Sequence, residues 1–99
     1  MRPLQFAVDS AAGEPLRLRV TGELDLATAP QLASRLRALS EDGNAIRLDL
    51  SRVTFIDLVG LRVLVEAHVR DRRLHVVAAS SACEHLLELT RTTHLLRVD

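Results

Sequence analysis

The residues whose side chains could carry out chemistry are few and scattered along this 99-residue chain. The four histidines, His68, His75, His85 and His94, lack the close spacing of metal ligands. The single cysteine, Cys83, excludes an internal disulfide and a multi-cysteine metal site, and we expect it to pack in the core. No serine lies in a nucleophile-elbow sequence, and no glycine-rich phosphate loop is present. We therefore predict no catalytic residue, no metal, no cofactor and no enzymatic activity.

One apolar stretch, TFIDLVGLRVLVEA at residues 54–67, contains an aspartate and a glycine three residues apart. Asp57 precedes a helical pattern, where an N-cap carboxylate accepts hydrogen bonds from the free N–H groups of the first turn. Gly60 costs a helix about 1 kcal/mol, so a close backbone approach is expected there. Leu58 and Val59, between them, carry no reactive group. The pattern predicts a helix start whose aspartate is a cap, a partner contact, or both.

The elements before this stretch begin with two strands. Apolar and polar residues alternate over residues 4–8 and 16–20, and the turn at residues 12–15 predicts a hairpin. A helix follows, because Thr28 and Gln31 fit a capping box and leucines recur at helical spacing until Gly43. Residues 45–50 are then predicted as a strand that ends near Leu50. Phe55 and Ile56 are expected to anchor the entry to the next helix in the core.

The second half continues the alternation. A helix is predicted from about residue 58, with Val69 on its apolar side, and LHVVAA at residues 74–79 is predicted as a buried strand. A capping box of Ser81 and Glu84 predicts the next helix. HLLRV at residues 94–98 is interpreted as a last edge strand or a short tail. Alternating strands and helices imply crossover connections with parallel strand pairs.

Composition limits the possible partners. The chain has 13 basic residues, all arginine, and 13 acidic residues, so its formal net charge is zero with histidine neutral. Only 2% of the residues are aromatic. Balanced charge and few aromatic side chains argue against nucleic-acid binding. No signal pattern and no long uncharged apolar run occurs, so we expect a cytoplasmic protein without direct membrane insertion.

Three stretches together resemble one family. VTGELDLATAP, LDLSRVTFIDLVGLRVLV and LLELTRTTHLLRV are similar in order and spacing to the STAS domain of bacterial anti-sigma factor antagonists. The resemblance implies an α/β fold in which a mixed four- to five-stranded sheet carries about three helices, as a single STAS-like domain over residues 1–99. It also implies a partner, an anti-sigma factor that is a serine kinase with an ATP site of the histidine-kinase-like type. Binding of that partner releases a sigma factor.

The resemblance also implies a switch that this chain has lost. In the family, the kinase phosphorylates a serine or threonine just after the motif aspartate, and the complex then dissociates. This chain keeps Asp57, Gly60 and Leu61, but Leu58 and Val59 replace the hydroxyl residue, with Val59 in the acceptor's place. We expect no phosphorylation at this position. The partner-binding surface is predicted to comprise Asp25, Thr28, Asp57, Leu58, Val59, Gly60 and Arg62.

The sequence leaves open whether another hydroxyl group is phosphorylated and whether the chain has another function. Thr28 is favoured as a helix cap over a phosphoacceptor, and Ser51 and Thr54 are weaker substitutes for the missing acceptor. The favoured function is an anti-sigma factor antagonist that binds constitutively or under control of expression or a second partner. One alternative is a structural STAS subunit of a lipid or anion transporter or of a stress-signalling assembly. Another is a small-ligand sensor. The sequence leaves the oligomeric state open.

Overall fold

A computed structural model describes residues 2–97, in which four strands and four helices follow one another. The strands are β1 (Gln5–Asp9), β2 (Leu16–Leu24), β3 (Ile46–Ile56) and β4 (His75–Ala79). The helices are α1 (Ala29–Glu41), α2 (Leu58–Arg70), α3 (Ser81–Leu89) and the single turn α4 (Thr93–Leu96). The predicted α/β class is confirmed, with a fourth, short helix beyond the three expected. Met1, Val98 and Asp99 of the predicted domain lie outside the described residues.

The strands form one mixed sheet in the order β1-β2-β3-β4. β1 and β2 are antiparallel, with Phe6 opposite Val20, which confirms the predicted hairpin. β2 and β3, and then β3 and β4, are parallel. Parallel neighbours end at the same edge of a sheet, so the segments that follow β2 and β3 lie side by side.

β3 is longer than the sequence pattern predicted. The strand does not end near Leu50 but continues to Ile56. Its register against β2 shifts twice, and each time β3 contains one residue more than β2. These irregularities break the two-residue alternation, so that Leu50, Val53 and Ile56 are all buried at a three-residue spacing. Ile56 is buried, as predicted, but Phe55 is 47% exposed, so the prediction that Phe55 anchors the core was wrong.

The helices cover one face of the sheet and enclose a single core of leucine, valine and isoleucine. α1 contributes Leu32 and Leu36, and α2 contributes Leu61 and Leu64. These confirm the helical stripes, except that Val69 near the end of α2 is 57% exposed rather than packed. The fully buried leucines of the sheet are Leu18, Leu24, Leu48 and Leu50.

The opposite face of the sheet is polar and carries no helix. Asp49 is nevertheless only 3% exposed, because arginines from the neighbouring strand cover it. Arg17 and Arg19 donate hydrogen bonds to its Oδ2 at 3.1 and 3.3 Å, and Ser51 donates its N–H and hydroxyl to Oδ1 at 2.9 and 2.6 Å. Burial opposes ionisation, but the Ser51 and arginine hydrogen bonds outweigh it and hold the pKa of Asp49 well below its usual range.

The last elements correct three predictions. The predicted strand is confirmed at His75–Ala79, but β4 is an edge strand in which only Val76 is fully buried, so the expectation that the whole strand is buried was wrong. The cap of α3 is Ser80, whose Oγ accepts the Cys83 N–H at 3.2 Å, one residue before the predicted capping box. Residues 94–96 belong to α4 rather than to an edge strand, and Arg97 then forms an isolated parallel bridge with Val76. Val98 of the predicted segment lies outside the described residues.

Candidate functional site

The segments that follow β2 and β3 meet at one edge of the sheet. β2 ends at Leu24 and leads into the loop of residues 25–28, while β3 ends at Ile56 and leads through Asp57 into α2. The Asp57 N–H donates to the Leu24 carbonyl oxygen at 3.2 Å. The parallel pairing of the two strands thus places the loop against the first turn of α2. The sequence prediction that both segments belong to one partner-binding surface requires this proximity.

The carboxylate of Asp57 connects these two segments. Its Oδ1 accepts the Gly60 N–H at 2.9 Å, which confirms the predicted N-cap of α2. Its Oδ2 accepts the Leu26 N–H from the facing loop at 3.2 Å. One side chain therefore fixes both the start of the helix and the position of the loop.

Gly60 allows the close approach that its position predicted. A β-carbon added there would lie 2.6 Å from the carbonyl oxygen of Leu24 and 2.7 Å from its Cγ. Both distances are far below van der Waals contact, so a side chain would push α2 away from the end of β2. The glycine contributes to the surface by positioning it, since Gly60 itself is buried.

The loop is held by its own polar groups. Asp25 Oδ1 accepts the N–H groups of Ala27 and Thr28 at 3.0 and 3.1 Å. The Thr28 hydroxyl accepts the Asp25 N–H at 3.0 Å and donates to the Glu23 carbonyl oxygen at 2.6 Å. Thr28 is 1% exposed, so its hydroxyl stabilises the loop from within and is closed to solvent.

The predicted capping box of α1 was wrong for the same reason. Thr28 precedes the helix but makes no side-chain cap, because its hydroxyl is already bonded within the loop. Gln31 accepts the Leu4 N–H at 2.8 Å through Oε1, and so ties α1 to the segment before β1. Pro30 does lie in the first turn, as predicted.

Three residues next to Asp57, one bonded to its carboxylate through the backbone and two following it in the chain, carry exposed apolar side chains. Leu58 is 65% exposed and Val59 is 37% exposed, on the first turn of α2. Leu26, at the tip of the facing loop, is 72% exposed and was missed by the sequence reasoning. The sequence did contain a signal of this exposure, because Leu26 lies between Asp25 and Thr28 and falls outside the apolar stripe of α1. We call Leu26, Leu58 and Val59 the apolar patch.

Arg62 lies beside the apolar patch on the outer side of α2. Its Nε is 3.2 Å from Oε1 of Glu66, one helical turn further on. Both side chains are largely exposed, and such pairs contribute little to stability. Arg62 is therefore available to a partner at the margin of the patch.

The other reactive groups lie away from this surface. Cys83 is fully buried in the core, and burial raises the pKa of its thiol. Among the described residues, no three or more histidine, cysteine, aspartate or glutamate side chains are placed to hold a metal ion. Within residues 2–97, none of the helices combines the length and the apolar character needed to span a bilayer.

Comparisons with known proteins agree on one family. The family model described as "Mlab, STAS domain" matches residues 7–97. The anti-sigma-B factor antagonist of Staphylococcus aureus is 30% identical over 87 residues, which cover 83% of this chain and 81% of that protein. These relatives are named as antagonists of another protein rather than as enzymes.

Solved structures agree with the sequence relatives. An anti-sigma factor antagonist from Mycobacterium paratuberculosis is 28% identical with a TM-score of 0.83, over 94% of this chain and 82% of that one. Unphosphorylated SpoIIAA, an anti-sigma factor antagonist, has a TM-score of 0.60 at 19% identity, over 86% and 83% of the two chains. The second likeness supports the fold alone.

Proposed function

Because the chain belongs to the STAS domain family, we propose that it is a cytoplasmic anti-sigma factor antagonist that binds a serine-kinase type of anti-sigma factor and releases a sigma factor. The observation that carries this proposal is the apolar patch around the capped start of α2, at the surface that the family resemblance assigns to the partner. Exposed apolar side chains on a rigid helix start suit a dry protein contact.

The proposed contact is direct at some residues and indirect at others. Leu26, Leu58, Val59 and Arg62 would touch the partner, since all four side chains are accessible. Asp25, Thr28, Asp57 and Gly60 would instead hold the loop and the helix start in the binding geometry. This division revises the sequence prediction, which assigned all four of these residues to the partner-binding surface.

Binding is proposed to be independent of phosphorylation at the usual position. Residues 57–61 contain no hydroxyl group, and the Thr28 hydroxyl is enclosed. Ser51 and Thr54 are exposed, so they are the neighbouring hydroxyls that a kinase could reach. Ser51 donates its hydroxyl to Asp49 on the polar face of the sheet, away from the apolar patch.

Substitution of the apolar patch tests the proposal. Leu26→Asp and Leu58→Asp should each weaken binding to a kinase-type anti-sigma factor of the same organism by tenfold or more, measured by calorimetry, because a buried unpaired charge is costly. Val69→Asp is the matched control, as it adds the same charge to an exposed apolar position on the far end of α2. Equal effects at all three positions would contradict this docking surface.

A structural subunit of a transporter or signalling assembly is the second candidate. Two observations favour it: the matching family model bears the name of a different protein, Mlab, and no acceptor hydroxyl follows Asp57. Affinity purification of the tagged chain from its own organism separates the two. A kinase-type anti-sigma factor among the bound proteins supports the antagonist, whereas a transporter ATPase or permease supports the subunit.

A further inference from the structure

A groove of about 750 Å³ lies on the polar face of the sheet, near the start of β1. Its floor includes Gln5, Thr21 and Arg52, which are paired in register across three neighbouring strands. Arg2, Glu23 and Thr54 complete the polar lining. The volume is within the range of about 300–1,000 Å³ that is usual for small-molecule sites.

The two arginines of this groove differ from Arg17 and Arg19 on the same face. Arg17 and Arg19 are paired with Asp49, which neutralises much of their charge. Among residues 2–97, neither Arg2 nor Arg52 lies within ion-pair distance of a carboxylate, and both are exposed. A guanidinium offers several N–H donors in a planar fork that matches phosphate and carboxylate oxygens. The groove therefore presents two available cationic groups.

The remaining lining narrows the class of ligand. Thr21, Thr54 and Gln5 can each donate or accept a hydrogen bond, whereas Glu23 when ionised can only accept. Two positive charges against one negative charge favour an anion, and a dianion matches two guanidinium groups better than a monoanion. Glu23 favours a ligand that also carries hydroxyl donors. We propose that this groove binds a small phosphate ester with free hydroxyl groups.

Nuclear magnetic resonance titration of the full chain with ribose 5-phosphate tests this site. At constant ionic strength, the amide signals of residues 21–23 and 52–54 should shift and saturate. Inorganic phosphate should shift the same signals but bind several times more weakly, because it lacks the sugar hydroxyls. Ribose alone should leave them unchanged.

Matched arginine variants provide the control. Arg52→Gln should weaken ribose 5-phosphate binding by about tenfold or more, the loss expected for charge-assisted hydrogen bonds. Arg37→Gln removes an exposed arginine of α1 outside the groove and should leave the affinity unchanged. Thr54→Val, which changes no charge, should also weaken binding. It replaces Arg52→Gln as the test variant if Arg52→Gln folds poorly.

Three results would overturn the proposal. Shifts that grow without saturation would show only diffuse attraction of anions. An equal loss of affinity in Arg37→Gln and Arg52→Gln would show that net charge, and not the groove, is responsible. Equal affinities for ribose 5-phosphate and inorganic phosphate would remove the proposed contact between Glu23 and a ligand hydroxyl.

Discussion

The two carboxylate oxygens of Asp57 accept hydrogen bonds from different segments, one from Gly60 in α2 and one from Leu26 in the facing loop. A single residue thus supports both the fold and the geometry of the apolar patch. The sequence predicted the cap, because an aspartate before an apolar helical pattern is a strong local signal. It could not predict the bond to Leu26, which depends on the parallel pairing of β2 with β3.

Asp57→Ala should lower the free energy of unfolding by about 1–2 kcal/mol, near the upper part of the range for a lost N-cap, because the loop bond is lost as well. Urea unfolding measures the change. Glu88→Ala, at an exposed position of α3, is the control and should be nearly neutral. An unchanged stability of Asp57→Ala would contradict the cap.

Val59→Ser should restore a phosphoacceptor without serious loss of stability, because Val59 is 37% exposed. With a kinase-type anti-sigma factor and ATP, intact-mass measurement should detect one phosphate on Val59→Ser and none on the starting protein. The phosphorylated variant should then bind far more weakly, since a phosphate adds charge beside Asp57 and within an apolar contact.

Equal affinities of the phosphorylated and unmodified variant would mean that this surface is not the docking site. A stoichiometric phosphate on the starting protein, at Ser51 or Thr54, would contradict the proposal that this chain has lost the phosphorylation switch. Severe unfolding of Val59→Ser would indicate that Val59 packs more tightly than its exposure suggests.

At the scale of single elements, the sequence predicted a helix or strand correctly where its apolar residues keep one spacing from end to end. The hairpin, the leucine stripe of α1 and the start of α2 at Leu58 were all predicted. β3 was predicted too short because its two extra residues change which positions face the core, and no local pattern marks a bulge inside an apolar strand. Leu26 escaped for a similar reason, since the exposure of one loop leucine depends on its neighbours in space.

The start of α3 offers a direct comparison of two adjacent serines. Ser80→Ala should lower the free energy of unfolding by about 1 kcal/mol, because its hydroxyl oxygen accepts the Cys83 N–H. Ser81→Ala should be nearly neutral, because Ser81 is exposed at the first position of α3 and is not its cap. Chemical denaturation of both variants measures the difference. A larger loss of stability in Ser81→Ala than in Ser80→Ala would instead support the capping box that the sequence predicted.

At the scale of the whole molecule, two histidines connect α2 with the edge of the sheet. His68 is buried, with its Nδ1 2.7 Å from the Leu74 carbonyl oxygen, and its ring lies 5.3 Å from that of His75 in an edge-to-face arrangement. Burial, and then the nearby His68 and Arg47, lower the pKa of His75. The folded protein therefore keeps His75 neutral at a pH where the unfolded chain would already be protonated.

Acidification should consequently reduce stability before the carboxylates titrate. Below the ordinary histidine pKa of 6.5, the unfolded state binds more protons at this position than the folded state, so the unfolding free energy falls as pH falls toward the folded-state pKa. His75→Gln should flatten this part of the profile of melting temperature against pH. His85→Gln, at an exposed position, should not. Parallel profiles for His75→Gln and the starting protein would contradict the assignment.

The bridge between Arg97 and Val76 has a consequence for aggregation. β4 is the outer strand, and its free N–H and C=O groups are a template on which a strand from another molecule can assemble. The bridge occupies part of that edge, and the ion pair of Arg97 with Glu84 at 2.9 Å holds it there. A truncation that removes residues 93–99 would expose this edge of β4, and it would also remove Leu96, which is fully buried in the core. We expect the truncated chain to self-associate through β4 more readily than the full chain, which light scattering of the two proteins would measure.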